Sequence, residues 1–124
     1  RKSVGCEHTL DRDITASSSV IIELYHVATE LIGRLKRSGF RGNTLTLKIK
    51  FYDFKQITRS ITQEKELNEM KDILPLAKQL LKEVDYSIRP IRLIGLTVSH
   101  PKEEHEEHNE WKQLELEFAK LSEI

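Results

Sequence analysis

Residues 34–62 read RLKRSGFRGNTLTLKIKFYDFKQITRSIT, and this run decides the fold. It opens on the end of a helix, passes a glycine turn at Gly39, and continues as two strands folded into a hairpin. Thr44–Tyr52 alternates, with Leu45, Leu47, Ile49 and Phe51 to one side and Thr46, Lys48 and Lys50 to the other. That is the period of a half-buried strand with one wet, cationic face. Asp53 marks a tight turn, and Phe54–Thr62 continues as the next strand. Its alternation is poorer, because Ile57 and Ile61 share a parity with Lys55 and Arg59. An edge strand and a bulge both produce that pattern.

Upstream, Val20–Ser38 is an amphipathic helix with Ile21, Leu24, Ala28, Leu31 and Leu35 at spacings of three and four, widened by Val27 and Ile32. Ser17, Ser18 and Ser19 offer N-caps. Arg34, Lys36 and Arg37 ahead of Gly39 form the expected stop. Before the helix, Ser3–Leu10 alternates at Val4, Cys6 and Leu10 and predicts a first strand. Downstream, 63–69 is a polar linker and Met70–Val84 a second helix, with Ile73, Leu74, Ala77, Leu80, Leu81 and Val84 on one face. Pro75 breaks a helix interior, so the regular helix is expected to begin near Asp72–Leu74 or to kink there. Ile88–Ser99 is a last strand, with Ile94, Leu96 and Val98 inward and Arg92 near its start. Gly95 within it signals a close approach or a bulge. The order is β-α-β-β-α-β. Two one-sided helices can cover one face of a four-stranded antiparallel sheet, the α+β ferredoxin-like arrangement, and they leave the face with Lys48 and Lys50 open.

Composition narrows the function. The formal net charge is zero, but residues 1–60 hold 11 Lys and Arg against 6 Asp and Glu, while residues 101–124 hold 3 against 8. A basic body with an acidic tail is a pattern of nucleic-acid proteins. From Arg34 to Arg59 the only acid is Asp53, and the run closes on Thr58-Arg59-Ser60. Lys and Arg neutralise phosphates, and Ser and Thr donate to phosphate oxygens, so the hairpin suits a polyanionic backbone. One cysteine, Cys6, excludes an internal disulfide, and it lacks any sequence-local base that would make it a nucleophile. No apolar run is long enough for a membrane span, no membrane partner is expected, and a reducing cytoplasm fits. His105 and His108, with His100 nearby, sit among glutamates and are read as a solvated tail rather than a metal site.

The chain resembles the little finger, or polymerase-associated, domain of Y-family translesion DNA polymerases, specifically the bacterial DNA polymerase IV group. Four stretches carry the resemblance: Arg1-Lys2-Ser3-Val4-Gly5 with Glu7 and Thr9, Arg34–Asn43, Thr46–Ser60 (TLKIKFYDFKQITRS), and Arg92–Ser99 (RLIGLTVS). It implies a DNA-gripping domain over residues 1–100 that holds both backbones of primer–template duplex, opposite the palm and thumb of its parent chain. Ser3, Thr58, Arg59 and Ser60 are carried over from the family as DNA contacts. Lys48, Lys50 and Arg92 are added from strand parity. Cys6 stands where some relatives have a basic contact residue. The resemblance also implies that the catalytic palm and its two magnesium ions belong to the parent. This piece alone is therefore expected to need no cofactor and to incorporate no nucleotides.

In the acidic segment 101–124, Gln113–Phe118 reads QLELEF and resembles the sliding-clamp-binding peptide of bacterial polymerases. Gln113 would bond a pocket rim, while Leu114, Leu116 and Phe118 fill apolar pockets. An amphipathic terminal helix is the competing reading. For the whole chain, the alternative is a free-standing ferredoxin-like protein-interaction or regulatory module, which a mixed or apolar open face would favour. An RRM-type RNA-binding sheet would need paired aromatics on its middle strands.

Overall fold

The computed structural model describes residues 3–100. Six elements follow in order: β1 (Ser3–Ile14), α1 (Ser17–Ser38), β2 (Thr44–Phe51), β3 (Gln56–Thr62), α2 (Met70–Leu81) and β4 (Ile91–Ser99). All strand pairs are antiparallel, in the order β1-β4-β2-β3. α1 packs on β1 and β4, and α2 on β2 and β3. The fold is therefore the α+β ferredoxin-like one that periodicity predicts.

The core lies between the helices and one sheet face. α1 contributes Val20, Leu24, Val27, Ala28, Leu31, Ile32 and Leu35, and α2 contributes Ile73, Ala77, Leu80 and Leu81. They meet Leu45, Leu47, Ile49 and Phe51 of β2 and Ile91, Ile94, Leu96 and Val98 of β4. α1 ends as expected: Gly39 adopts φ 68° and its N–H donates to the Leu35 carbonyl at 3.0 Å. A left-handed residue costs glycine nothing, because it has no Cβ to clash.

Several boundaries differ from the sequence reading. α1 starts one turn early, because the Val20 N–H already donates to the Ala16 carbonyl. Ala16 is the cap residue, no side chain caps the helix, and Ser17–Ser19 lie within its first turn. α2 likewise starts at Met70 with Pro75 inside it. Pro75 is exposed and its missing N–H orphans the carbonyl of exposed Lys71, which water can satisfy. β4 starts at Ile91 rather than Ile88. Ahead of it, Ser87 bonds the Asp85 carboxylate through both N–H (3.1 Å) and hydroxyl (2.7 Å), closing a local turn. Those bonds hold the Asp85 carboxyl below its ordinary range. β1 runs on to Ile14, which pairs with Ile91 beyond a register shift. β3 keeps an unbroken register with β2 and sits at the sheet edge, so edge position explains its poor alternation. Tyr52, Asp53 and Phe54 form the hairpin turn, with Phe54 at φ 68°.

Candidate nucleic-acid interface

Strand register defines the uncovered face as four cross-strand rows. In the order β1, β4, β2, β3 they are Ser3–Ser99–Thr44–Thr62, Gly5–Thr97–Thr46–Ser60, Glu7–Gly95–Lys48–Thr58 and Thr9–Leu93–Lys50–Gln56. The face is thus mainly hydroxyl, with two lysines toward one end and a single apolar residue, Leu93. β-branched threonines suit strands, and on this face their hydroxyls point away from the core. Thr44 and Thr62 share a hydrogen bond of 2.8 Å, and Thr46 and Ser60 one of 2.7 Å. Each pair still has lone pairs or a proton for another partner. Ser99 is buried on this face, and its Oγ has no hydrogen-bond partner among the described residues.

The structure brings Ser3, Lys48, Lys50, Thr58 and Ser60 onto this one surface. Lys50 makes no ion pair among the described residues. Lys48 is engaged: its Nζ lies 3.1 Å from Glu7 Oε2. Gly95 sits between them in the row, and a Cβ there would come within 3.0 Å of the Glu7 Cβ. Gly95 therefore marks a close approach and not a bulge.

Two of the predicted cations lie outside these rows. Arg59 pairs in register with Leu47, so it projects to the helix side of the edge strand. There its Nε is 3.8 Å from Glu83, just past α2, and its Nη1 donates to the Thr58 carbonyl at 2.8 Å. Arg92 is the extra residue where Leu93 pairs with Lys50 but Ile91 with Phe51. Its guanidinium lies over the Phe54 ring, 4.8 Å from the centroid. Cys6 also faces the helices: it is buried, its Sγ donates to the Val27 carbonyl at 3.2 Å, and burial pushes the thiol up to about 12. A basic side chain at that position would point into the core, so no surface contact is lost there.

Sequence reading did not single out Thr44, Thr62, Thr97, Ser99 and Glu7 as parts of this surface. Parity on β1 and β4 carries the signal, but only once pairing partners are known. At the β1 end of the face, a polar cleft of about 500 Å³ is lined by Ser3, Val4, Gly5, Arg34, Arg37 and Ser38. Arg34 there donates to the Gly5 carbonyl at 2.8 Å and pairs with Glu30 at 3.3 Å. The middle strands carry no aromatic on the open face, which removes the stacking platform an RRM-type sheet requires. Among the described residues no cluster of three or more His, Cys, Asp or Glu could hold a metal ion, and His100 packs against Phe40 with ring centroids 4.8 Å apart. No helix among them is long and apolar enough to cross a membrane.

Comparison with known proteins matches residues 1–116 to the impB/mucB/samB family C-terminal domain. The chain belongs to that family. DNA polymerase IV of Bacteroides fragilis is 68% identical over 120 residues, covering 96% of this chain and 33% of the relative. DNA polymerase IV of Akkermansia muciniphila is 53% identical over 118 residues, covering 95% and 33%. The chain thus spans about a third of the length of the curated relatives it matches, and it is a little finger domain of the Y-family DNA polymerase IV group. A solved complex of a beta-clamp processivity factor and the little finger domain of PolIV superposes with TM-score 0.66 at 26% identity, covering 79% of this chain and 87% of that one. A post-insertion binary complex of Dbh DNA polymerase shares the fold, with TM-score 0.63 at 16% identity over 78% of this chain and 28% of that one.

Proposed function

We propose that this little finger domain holds the backbone of primer–template duplex DNA without reading its sequence, for a parent polymerase that copies damaged templates. The uncovered, hydroxyl-rich sheet face with Lys50 at one end carries this reading. Hydroxyl donors and an ammonium can bind phosphate oxygens, and such contacts position a duplex without carrying sequence information. Ser3, Thr58, Ser60 and Lys50 are the proposed contacts, joined by Thr46 and Thr97 from the same rows. Arg59 is proposed to tie β3 to α2, and Arg92 to brace the hairpin turn through Phe54. Nucleotidyl transfer, with its two magnesium ions, is assigned to the parent's palm, where the pair would stabilise attacking and leaving oxygens. Palm and thumb are the domain's partners within that chain.

The tail is proposed as a clamp tether. Gln113, Leu114, Leu116 and Phe118 lie outside the described residues, so sequence pattern carries this part, supported by the likeness to a little finger domain solved with a beta clamp. A peptide that orders only on binding has modest affinity alone but raises the local concentration of whatever it is linked to.

The test is a salt titration of the 124-residue chain on labelled duplexes of unrelated sequence. Equal affinities that fall steeply with salt support the grip. Affinity that is insensitive to salt, or that differs tenfold between sequences, refutes it. Deleting residues 113–118 should abolish capture by a bacterial sliding clamp and leave duplex affinity unchanged; capture that survives refutes the tether.

A further inference from the structure

Glu7 is the only acidic side chain in the four rows of the open face. It stands on the edge strand β1, and Lys48 stands on β2, two strand spacings away. Strands lie about 4.8 Å apart, so a side chain on β4 would normally fill the space between them. Gly95 leaves that space empty. The Lys48 ammonium crosses it and reaches Glu7 Oε2 at 3.1 Å. A Cβ at position 95 would sit 3.6 Å from that same oxygen and 3.0 Å from the Glu7 Cβ. The sheet therefore has a built-in trough in which one carboxylate meets one ammonium on a surface lined mainly by hydroxyls.

We infer that Glu7 holds Lys48 as an internal substitute for a backbone phosphate, and so limits the strength of the domain's grip on DNA. This rests on the DNA-backbone reading above. A carboxylate and a phosphodiester present the same chemistry to an ammonium, anionic oxygens that accept charge-assisted hydrogen bonds. The two compete for Lys48, and Glu7 also repels an approaching phosphate. The pair is exposed enough to exchange: the Lys48 side chain is 33% accessible and the Glu7 side chain 50%. Exposed pairs of this kind are weak. Lys48 is thus a cation in reserve, shared between Glu7 and the backbone, while Lys50 one row away has no such competitor among the described residues.

A double-mutant cycle tests this. Glu7→Gln, Lys48→Ala and the double variant of the 124-residue chain are titrated with a labelled duplex across a salt series, after thermal melts show that each remains folded. Glu7→Gln keeps the side-chain shape and removes the charge. It should tighten binding by roughly three- to tenfold near 0.1 M salt and steepen the plot of log K against log salt by about 0.9, the value of one added phosphate contact. In the Lys48→Ala background the steepening should vanish. The inference is overturned if Glu7→Gln leaves affinity and slope unchanged. It is overturned if binding weakens, which would make Glu7 a positioning aid. It is overturned too if the gain is the same with and without Lys48, which would make Glu7 only a background charge. A wild-type chain with no salt-dependent duplex affinity would instead refute the underlying DNA reading.

Discussion

Lys50→Ala and Arg59→Ala each remove one positive charge from the same hairpin, but from opposite faces. Lys50 lies on the open face between Leu93 and Gln56, with no carboxylate holding it among the described residues. If it contacts one phosphate, its loss lowers the salt slope by about 0.9. A fourfold rise in salt, from 50 to 200 mM, then costs the wild type about 3.5 times more affinity than the variant. Arg59 lies on the helix face, its Nε 3.8 Å from Glu83. Their side chains are 42% and 55% accessible, so the pair contributes about 0–1 kcal/mol. Arg59→Ala should lower the melting temperature by no more than a few degrees and leave the slope within about 0.3 of wild type. Fluorescence anisotropy on one labelled duplex at several salt concentrations, paired with thermal melts, reads both quantities. A slope that falls for Arg59→Ala and holds for Lys50→Ala would refute the assignment of faces from strand register.

Gly42→Ala should destabilise the domain by about 1–3 kcal/mol or more, read as a lower urea midpoint. Its Cβ would fall 2.5 Å from the Ser99 carbonyl oxygen, a backbone atom that cannot swing aside, and would strain the adjoining Asn43 N–H to Ser99 bond of 3.2 Å. Leu47→Ala, at a residue 1% exposed between sheet and helices, should cost about 2–5 kcal/mol in the same assay. The Cys6 thiol, pushed up to about 12 from an ordinary 9.0, should react with a thiol reagent at pH 8 roughly a thousandfold more slowly than a free cysteine. Rapid labelling of the folded chain would contradict that. Because the folded state keeps a proton that the unfolded state has released, this contribution to stability is complete below pH 9 and declines as pH rises toward about 12.

The core was legible because periodicity reports it directly. Leu45, Leu47, Ile49 and Phe51 alternate, and α1 repeats at three and four, since a face that must leave water writes its period into the chain. Boundaries were less legible. Ser17–Ser19 look like caps, yet the backbone closes its first turn on Ala16, so local cap propensity did not set the start of the helix. The candidate site was legible as a region and not as a set of side chains. Ser3, Lys48, Lys50, Thr58 and Ser60 share one surface, whereas Arg59 follows Ile57 and Ile61 to the other side. Its parity in the sequence already matched those isoleucines; the family pattern around it pulled the other way.

What the sequence determined by itself is the β-α-β-β-α-β order, the buried stripe of each element and the surplus of cations on the hairpin, all properties of residues near one another in the chain. What only the tertiary structure decided is who stands beside whom across the sheet. Glu7 and Lys48 are forty-one positions apart and meet only because β4 lies between their strands with Gly95 at the crossing. Register is set by packing the whole sheet against two helices, a sum of long-range contacts that no local window contains.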